Sequence, residues 1–299
     1  MKFGLVRPQR EPSDEGFHVA DECIHGFDDG LCAICFPPPE PEPKRVIAPP
    51  RTSRSTGPRS SRPARQTARV AGAASARTLH EAPIDPKTVR IYHVTHVDNL
   101  ASILGEGALL ADRAGAAPAV DVSAPSAREF RRSAPAPGGD AVVADYVPFL
   151  LSTDAHVWNA VRTGTPDPRL AADAVERQPA DHVILVSSVA GAVGARTEVE
   201  GTVVVTDADA AAGSVRAASA WPEVLRMLQR LHREDEGSRL LSAEVLVRES
   251  LPLERVLLIA VGNDRVRDRV RAALDAVGLR TRVAVYPPWF QPTQDPAAE

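Results

Sequence analysis

Four side chains near the N-terminus have metal-binding types at metal-binding spacing. The run "ECIHGFDDGLCAICF" sets Cys23, His25, Cys32 and Cys35 as C-x-H-x6-C-x2-C. Cys32 and Cys35 fit a turn on which two thiolates converge, and Cys23 and His25, two apart on an extended chain, point to the same side. Three thiolates and an imidazole suit tetrahedral zinc with no open position, so a metal there would be structural and not catalytic. The chain has three cysteines, all within 13 residues. That is a poor disulfide framework and a better metal cluster. Gly26 and Gly30 permit the tight turns between the pairs, and a segment this short would be folded largely by its metal.

A second set of polar side chains is spread through the rest of the chain. In "TVRIYHVTHVDNLASILGEGALL", residues 88–110, His93, Thr95, Asp98 and Asn99 sit between two apolar runs. They make either an ordinary capped strand-to-helix turn, with Asp98 or Thr95 as the cap and His93 a hydrogen-bonded core histidine, or the edge of a ligand site. "FRRSAPAPGGDAVVADYVPFLL" supplies Arg131 and Arg132, then a Pro-Gly loop, then a strand bearing Asp145 and Tyr146. In "LLSAEVLVRES", Ala243, Val245 and Val247 share one strand face, and Glu244 shares the other with Leu246. A buried, unpaired carboxylate there would be costly, so Glu244 either faces water from an edge strand or has a function. An arginine offers a fixed fork of donors to phosphate or carboxylate oxygens. A carboxylate can steady a developing positive charge or accept a proton.

Positioning those groups requires a folded domain, and the periodicity places it after residue 87. Strands are expected over 89–95, 141–153, 182–188, 202–207, 242–249, 255–261 and 280–286. Helices are expected over 97–107, 154–162, 221–235 and 264–278. Leu100, Ile103 and Leu104 make the apolar face of the first helix, which Gly105 or Gly107 ends. Pro148 marks its strand as an edge or a bulge. Strands and helices mix without strict alternation and without an internal repeat, which favours α+β.

Three parts follow: a zinc-binding module at 1–36, a linker at 37–87 and a larger domain at 88–299. The linker is rich in Pro, Arg, Ser and Ala and buries too little apolar area to order itself. Net charge is −4 overall, but −6 over residues 1–43, +9 over 44–80 and −7 over the remainder. The mildly acidic domain argues against a broad nucleic-acid groove on its own surface. The basic linker either supplies phosphate contacts or is only a solvated spacer. No apolar signal-peptide core and no run of about 18 apolar residues occurs, so a soluble cytoplasmic protein is expected.

"YHVTHVDNLASILGEGALL", "VADYVPF" and "SAEVLV", in that order, resemble the DarT family of NAD-dependent DNA ADP-ribosyltransferases, toxins that modify bases in single-stranded DNA. "VVVTDADAA" is similar to that family's strand before its target-facing loop, and the resemblance spans roughly residues 88–262. It implies an ADP-ribosyltransferase-like mixed sheet with flanking helices, with NAD as the substrate. His93 and Thr95 would lie near the nicotinamide riboside, with Asn99 at the helix start and Tyr146 also in the cofactor site. One of Arg131 and Arg132 would serve the diphosphate and the reacting centre, and Glu244 would be the catalytic glutamate. The implied target is thymine in single-stranded DNA, and the implied partner is an antitoxin that removes ADP-ribose or blocks the site.

After "YVPF" this chain departs from the family: "LLSTDAHVWNAVRTGTPDP" stands where an aromatic residue and a Pro-Arg-Ser-Pro-Met-like turn are usual. In the family that region contributes to the nicotinamide pocket and nearby base contacts, so its divergence leaves the target base, though not the use of NAD, as the open point. RNA, a protein or a small molecule are alternative targets. A non-catalytic zinc-containing nucleic-acid-binding protein is the reading from a different class, and His93, Thr95 and Glu244 speak against it.

Overall fold

A computed structural model of the chain describes residues 84–115, 117–136, 140–194, 201–212, 215–233 and 237–292. The Cys23–His25–Cys32–Cys35 cluster and nearly all of the linker lie outside these residues. The linker's expected last residues, 84–87, are instead part of the fold. Ile84 packs against the main core, and the carbonyl of Pro86 accepts from Ala190 N at 3.0 Å.

The architecture is α+β. Ten strands run β1 Arg90–His96, β2 Ala108–Leu110, β3 Tyr146–Leu150, β4 His182–Ser188, β5 Val203–Thr206, β6 Ala217–Ala218, β7 Glu244–Arg248, β8 Ser250–Pro252, β9 Leu258–Val261 and β10 Val283–Val285. Eight form one mixed sheet in the order β10-β9-β4-β1-β3-β7-β5-β6, and β2 pairs with β8 in a small second sheet. β9 and β10 are parallel; the other pairs are antiparallel. The helices are α1 Leu100–Glu106, α2 Pro125–Ser133, α3 His156–Thr163, α4 Val189–Val193, α5 Trp221–Leu231, α6 Gly237–Leu240 and α7 Asp264–Ala276.

Binary patterning explains the layers. Leu100 and Leu104 of α1, Val224, Leu228 and Leu231 of α5, and Val266, Val270 and Leu274 of α7 recur at helical spacing. They join Ile91, Val147, Leu185, Val205 and Val245 in the main core, so these three helices cover one face of the sheet. The other face is covered in two separate patches. One holds Tyr146, Val204 and Leu246 with Val143 and Ala134; the other holds Trp158 and Val161 of α3 with Ile184, Val186 and Phe290. β4 lies in the sheet's interior, covered on both faces, and all seven of its residues are buried.

The sheet is nearly split between β1 and β3, which are in register only at Tyr92–Leu150. This gap accounts for Pro148, which is neither on an edge strand nor at a bulge. β3 is an inner strand, fully paired to β7 on its far side, with Pro148 opposite Leu246. Proline has no N–H to give, and here the side lacking a donor faces the gap. The Pro148 carbonyl instead accepts from the His93 ring at 3.0 Å.

Other expectations also need correction. The long strand over 141–153 is strand only at 146–150. Residues 143–145 form a 3-10 turn in which Asp145 caps the N–H of Val142 at 3.0 Å. Neither Asp98 nor Thr95 caps the first helix: His96 Nδ1 accepts from Asp98 N, and Asp98 itself pairs with Arg269. The helix begins as a 3-10 turn over 97–99 and ends at Gly107, whose φ of +67° is the left-handed conformation glycine adopts freely. β2, α2, α4, β6, α6 and β8 are elements the periodicity did not mark. α2 has no fully buried residue, so no apolar stripe announces it. Among the described residues no helix is long and apolar enough to cross a membrane.

Candidate active site

A cavity of about 560 Å³ threads the gap between β1 and β3. It is lined by residues of both sheet faces, among them His93, Thr95 and Asn99 on one side and Arg131, Asp209 and Glu244 on the other. This constellation comes from the last turn of α2, the end of β1, the loop after β5 and the start of β7.

Glu244 opens β7, with Leu150 of β3 opposite on one side and Thr206 of β5 on the other. It is therefore on an inner strand, and the alternative of an edge glutamate facing water does not hold. Its carboxylate is paired instead. Arg131 Nη1 donates to Oε1 at 3.3 Å, Arg131 Nη2 donates to Oε2 at 3.2 Å, and the N–H of Ala210 donates to Oε2 at 3.0 Å. Arg131 is also 3.2 Å from Asp209 Oδ1. Burial works against the Arg131 charge, but the carboxylates of Glu244 and Asp209 outweigh it and hold its pKa above the usual guanidinium value.

Arg131 and Arg132 are neighbours on α2, and a helical step of roughly 100° sends them apart. Arg131 reaches into the cavity. Arg132 is half-exposed and donates from Nε to Asp112 Oδ2 at 2.8 Å. Arg128, one turn earlier, bonds both Asp112 and Asp121. These pairs fix the outer side of α2 to the loops over the cavity, and Arg131 is left pointing inward.

His93 sits in the gap. Burial depresses its pKa, and the Pro148 bond only partly offsets this. The ring is thus neutral near pH 7. A carbonyl can only accept, so Nδ1 carries the proton and Nε2 presents a lone pair. Thr95 is buried, and its Oγ1 accepts from Asn99 Nδ2 at 3.0 Å. The Asn99 amide also clamps Val120, donating to its carbonyl and accepting from its N–H, each at 2.8 Å. Asn99 therefore holds the loop over the cavity as well as bordering it. Tyr146 is 2% exposed, and its hydroxyl donates to the Gly201 carbonyl at 3.2 Å. What it offers the cavity is ring, not hydroxyl.

Two residues of this network were not singled out from sequence. Asp209 follows β5 in the loop that also supplies Ala210 N to Glu244. Arg169 lies in the segment after α3, where its guanidinium is bonded to Asp167 and comes within 3.8 Å of Asp209 Oδ2. The Asp167 bond raises the Arg169 pKa despite burial. That segment is stitched over the cavity by Ala124 N to the Arg169 carbonyl at 2.8 Å and Ala171 N to the Val122 carbonyl at 3.0 Å. The run "VVVTDADA" carried a signal for Asp209, a polar cluster directly after a buried strand. Nothing in "TPDPRL" distinguishes Arg169 from a surface arginine.

A neutral histidine and a partly buried carboxylate held by an arginine fork, lining one cavity at a sheet gap, can steady a cationic centre and orient hydroxyl groups beside it. Comparison with known proteins is consistent with that chemistry. The family model described as "ssDNA thymidine ADP-ribosyltransferase, DarT" matches residues 92–291. The chain belongs to the DarT family. The match runs past the expected limit of about 262, so α7 and β10 are also part of the DarT domain.

Among solved structures the chain is similar to Thermus sp. 2.9 DarT in complex with ADP-ribosylated ssDNA, at 27% identity and a TM-score of 0.55, covering 69% of this chain and 97% of that one. It is also similar to the same DarT in complex with NAD+, at 27% identity and a TM-score of 0.52, and with carba-NAD+, at 26% and 0.53. Each of these covers 69% of this chain and 100% of the other. No curated protein matches the chain.

Proposed function

We propose that this DarT-family protein cleaves the nicotinamide–ribose bond of NAD and transfers ADP-ribose to a base, thymine, in single-stranded DNA. The observation that carries this reading is the Arg131–Glu244 pair lining one cavity with a neutral His93 at the gap in the sheet. The solved DarT complexes with NAD+ and with ADP-ribosylated ssDNA support it.

Glu244 orients the ribose hydroxyl next to the reacting carbon and offsets the positive charge that builds as nicotinamide leaves. Arg131 fixes that carboxylate and presents the remainder of its fork to the diphosphate; Arg132, which bonds Asp112 and does not itself line the cavity, does not. His93 and Thr95 hold the nicotinamide riboside, His93 through its free Nε2 lone pair. Asn99 contributes by keeping the Val120 loop in place, and Tyr146 by packing beneath the site.

The Cys23, His25, Cys32 and Cys35 set holds one structural zinc ion, since its donor chemistry suits that metal. The nine basic residues at 44–80 track the DNA backbone and supply the charge that the domain lacks. In a cell such an activity calls for an antitoxin that strips ADP-ribose from DNA or occupies the cavity.

The deciding experiment is transfer of label from NAD to homopolymer DNA oligonucleotides, RNA and lysate protein. Label on oligo-dT alone is the expected result. Label on RNA or protein alone would overturn the DNA assignment, and label on no acceptor would overturn the activity.

A further inference from the structure

Asp209 faces the same cavity as Glu244 and shares Arg131 with it, yet the roles above leave it without a task. It stands directly beyond Glu244. Thr206 of β5 is opposite Glu244, and the loop that follows gives Ala210 N to Glu244 and aims Asp209 at Arg131. The two Asp209 oxygens are not equivalent. Oδ1 accepts from Arg131 at 3.2 Å and from Ala211 N at 2.9 Å. Oδ2 has only a 3.8 Å approach from Arg169 among the described residues. One oxygen therefore anchors the side chain, and the other remains open to a donor.

Glu244 is more fully engaged. Oε2 already receives two donors and Oε1 one. Once it also takes a ribose hydroxyl, it has little capacity left for a second proton. Transfer to a ring N–H needs such a capacity. The new bond forms from the ring nitrogen to the ribose carbon, while the bond to nicotinamide breaks and its electron pair leaves on the nicotinamide nitrogen. The attacked base must then shed one proton.

We propose that Asp209 Oδ2 is the group that receives that proton. This rests on the base-transfer function proposed above. As the new bond forms, the ring nitrogen becomes strongly acidic and its proton passes to the carboxylate. Water carries the proton away after release. A carboxylate accepts but cannot donate, so Asp209 also selects. It favours bases with a ring N–H, such as thymine, uracil or guanine, over adenine and cytosine, whose ring nitrogens carry no hydrogen. Arg131 and Arg169 keep Asp209 aimed.

The test compares the full-length protein with Asp209→Asn and Asp209→Glu, using labelled NAD and oligo-dT between pH 6.5 and 9.5. Asp209→Asn should lower transfer near pH 7 by about 10²-fold, the usual effect of one acid–base group. The loss should shrink as pH rises, by about tenfold per unit, because the base then ionises without help. An oligonucleotide carrying 5-bromouracil, whose ring N–H is more acidic, should suffer less than oligo-dT. Asp209→Glu should recover part of the rate. Equal transfer by wild type and Asp209→Asn would overturn the proposal. So would a loss equal at every pH and for both oligonucleotides, which would make Asp209 merely a brace for Arg131. A wild-type protein inert toward every DNA would instead sink the base-transfer function itself.

Discussion

Removing Arg131 should separate stability from activity. Among the described residues its guanidinium is the only side chain bonded to the Glu244 carboxylate, whose side chain is 12% exposed; Arg131 itself is 21% exposed. Arg131→Ala leaves that carboxylate with the Ala210 N–H alone, beside a second carboxylate, Asp209. Breaking a fully buried pair costs about 3–5 kcal/mol, and an exposed one about 0–1. This partly buried pair lies between, at about 2 kcal/mol. For a domain of this size that is a drop in Tm of roughly 4–8 °C. Adding Glu244→Gln should restore much of it, because the amide carries no charge to strand. The double variant should therefore be more stable than Arg131→Ala alone, with a coupling of about 1–2 kcal/mol in a double-mutant cycle. Label transfer should behave oppositely, falling at least about 10²-fold in either single variant and not recovering in the double. Thermal melts and label transfer on the same preparations give both readouts. Additive stabilities would mean that Arg131 and Glu244 are not a coupled pair. A double variant with restored transfer would remove Glu244 from the chemistry.

Four other outcomes are expected. His182 is 1% exposed, packed against His96 and Trp158, and burial, with the nearby His96 charge, pushes its pKa down to about 4. A histidine buried neutral stabilises fully above its unfolded pKa near 6.5 and loses that contribution as pH falls toward 4, about 3 kcal/mol in all. Melts of His182→Phe should accordingly be flatter than wild type between pH 6.5 and 4, and parallel curves would contradict the assignment. Glu249, between β7 and β8, has a φ of +63°, which costs an L-residue about 1–2 kcal/mol. Glu249→Gly should raise Tm by roughly 1–3 °C after glycine's own entropy is deducted, and a lower Tm would refute the strain. Metal analysis should find about one zinc per chain, lost in Cys32→Ser with Cys35→Ser while transfer to short oligonucleotides persists; a chain without zinc would end that proposal. Deleting residues 44–80 should weaken single-strand DNA binding and flatten its dependence on salt, whereas an unchanged slope would make the linker a plain spacer.

How far the sequence reached follows from which interactions are local. β1, β4, β7 and α7 were legible because burial leaves a periodic trace, and Glu244 stood out because a carboxylate amid apolar strand residues demands a partner. The partner itself was not legible. Arg131 and Arg132 are adjacent and identical in type, and only the helical step of α2, held by Asp112 and Asp121, decides which enters the cavity. α2 gave no periodic signal because none of its residues is fully buried. Pro148 was misplaced for a related reason. The rule that proline belongs on sheet edges assumes a continuous ladder, and here the ladder stops inside the sheet. The same interruption makes room for the cavity and leaves the Pro148 carbonyl to His93, which fixes the tautomer of that histidine. A feature that reads from sequence as a defect in one strand is thus part of what positions the site. Pro148→Val would supply the N–H that the gap does not need. If it lets β1 and β3 zip past Tyr92–Leu150, the cavity narrows where His93 stands, and NAD binding should weaken while Tm holds or rises.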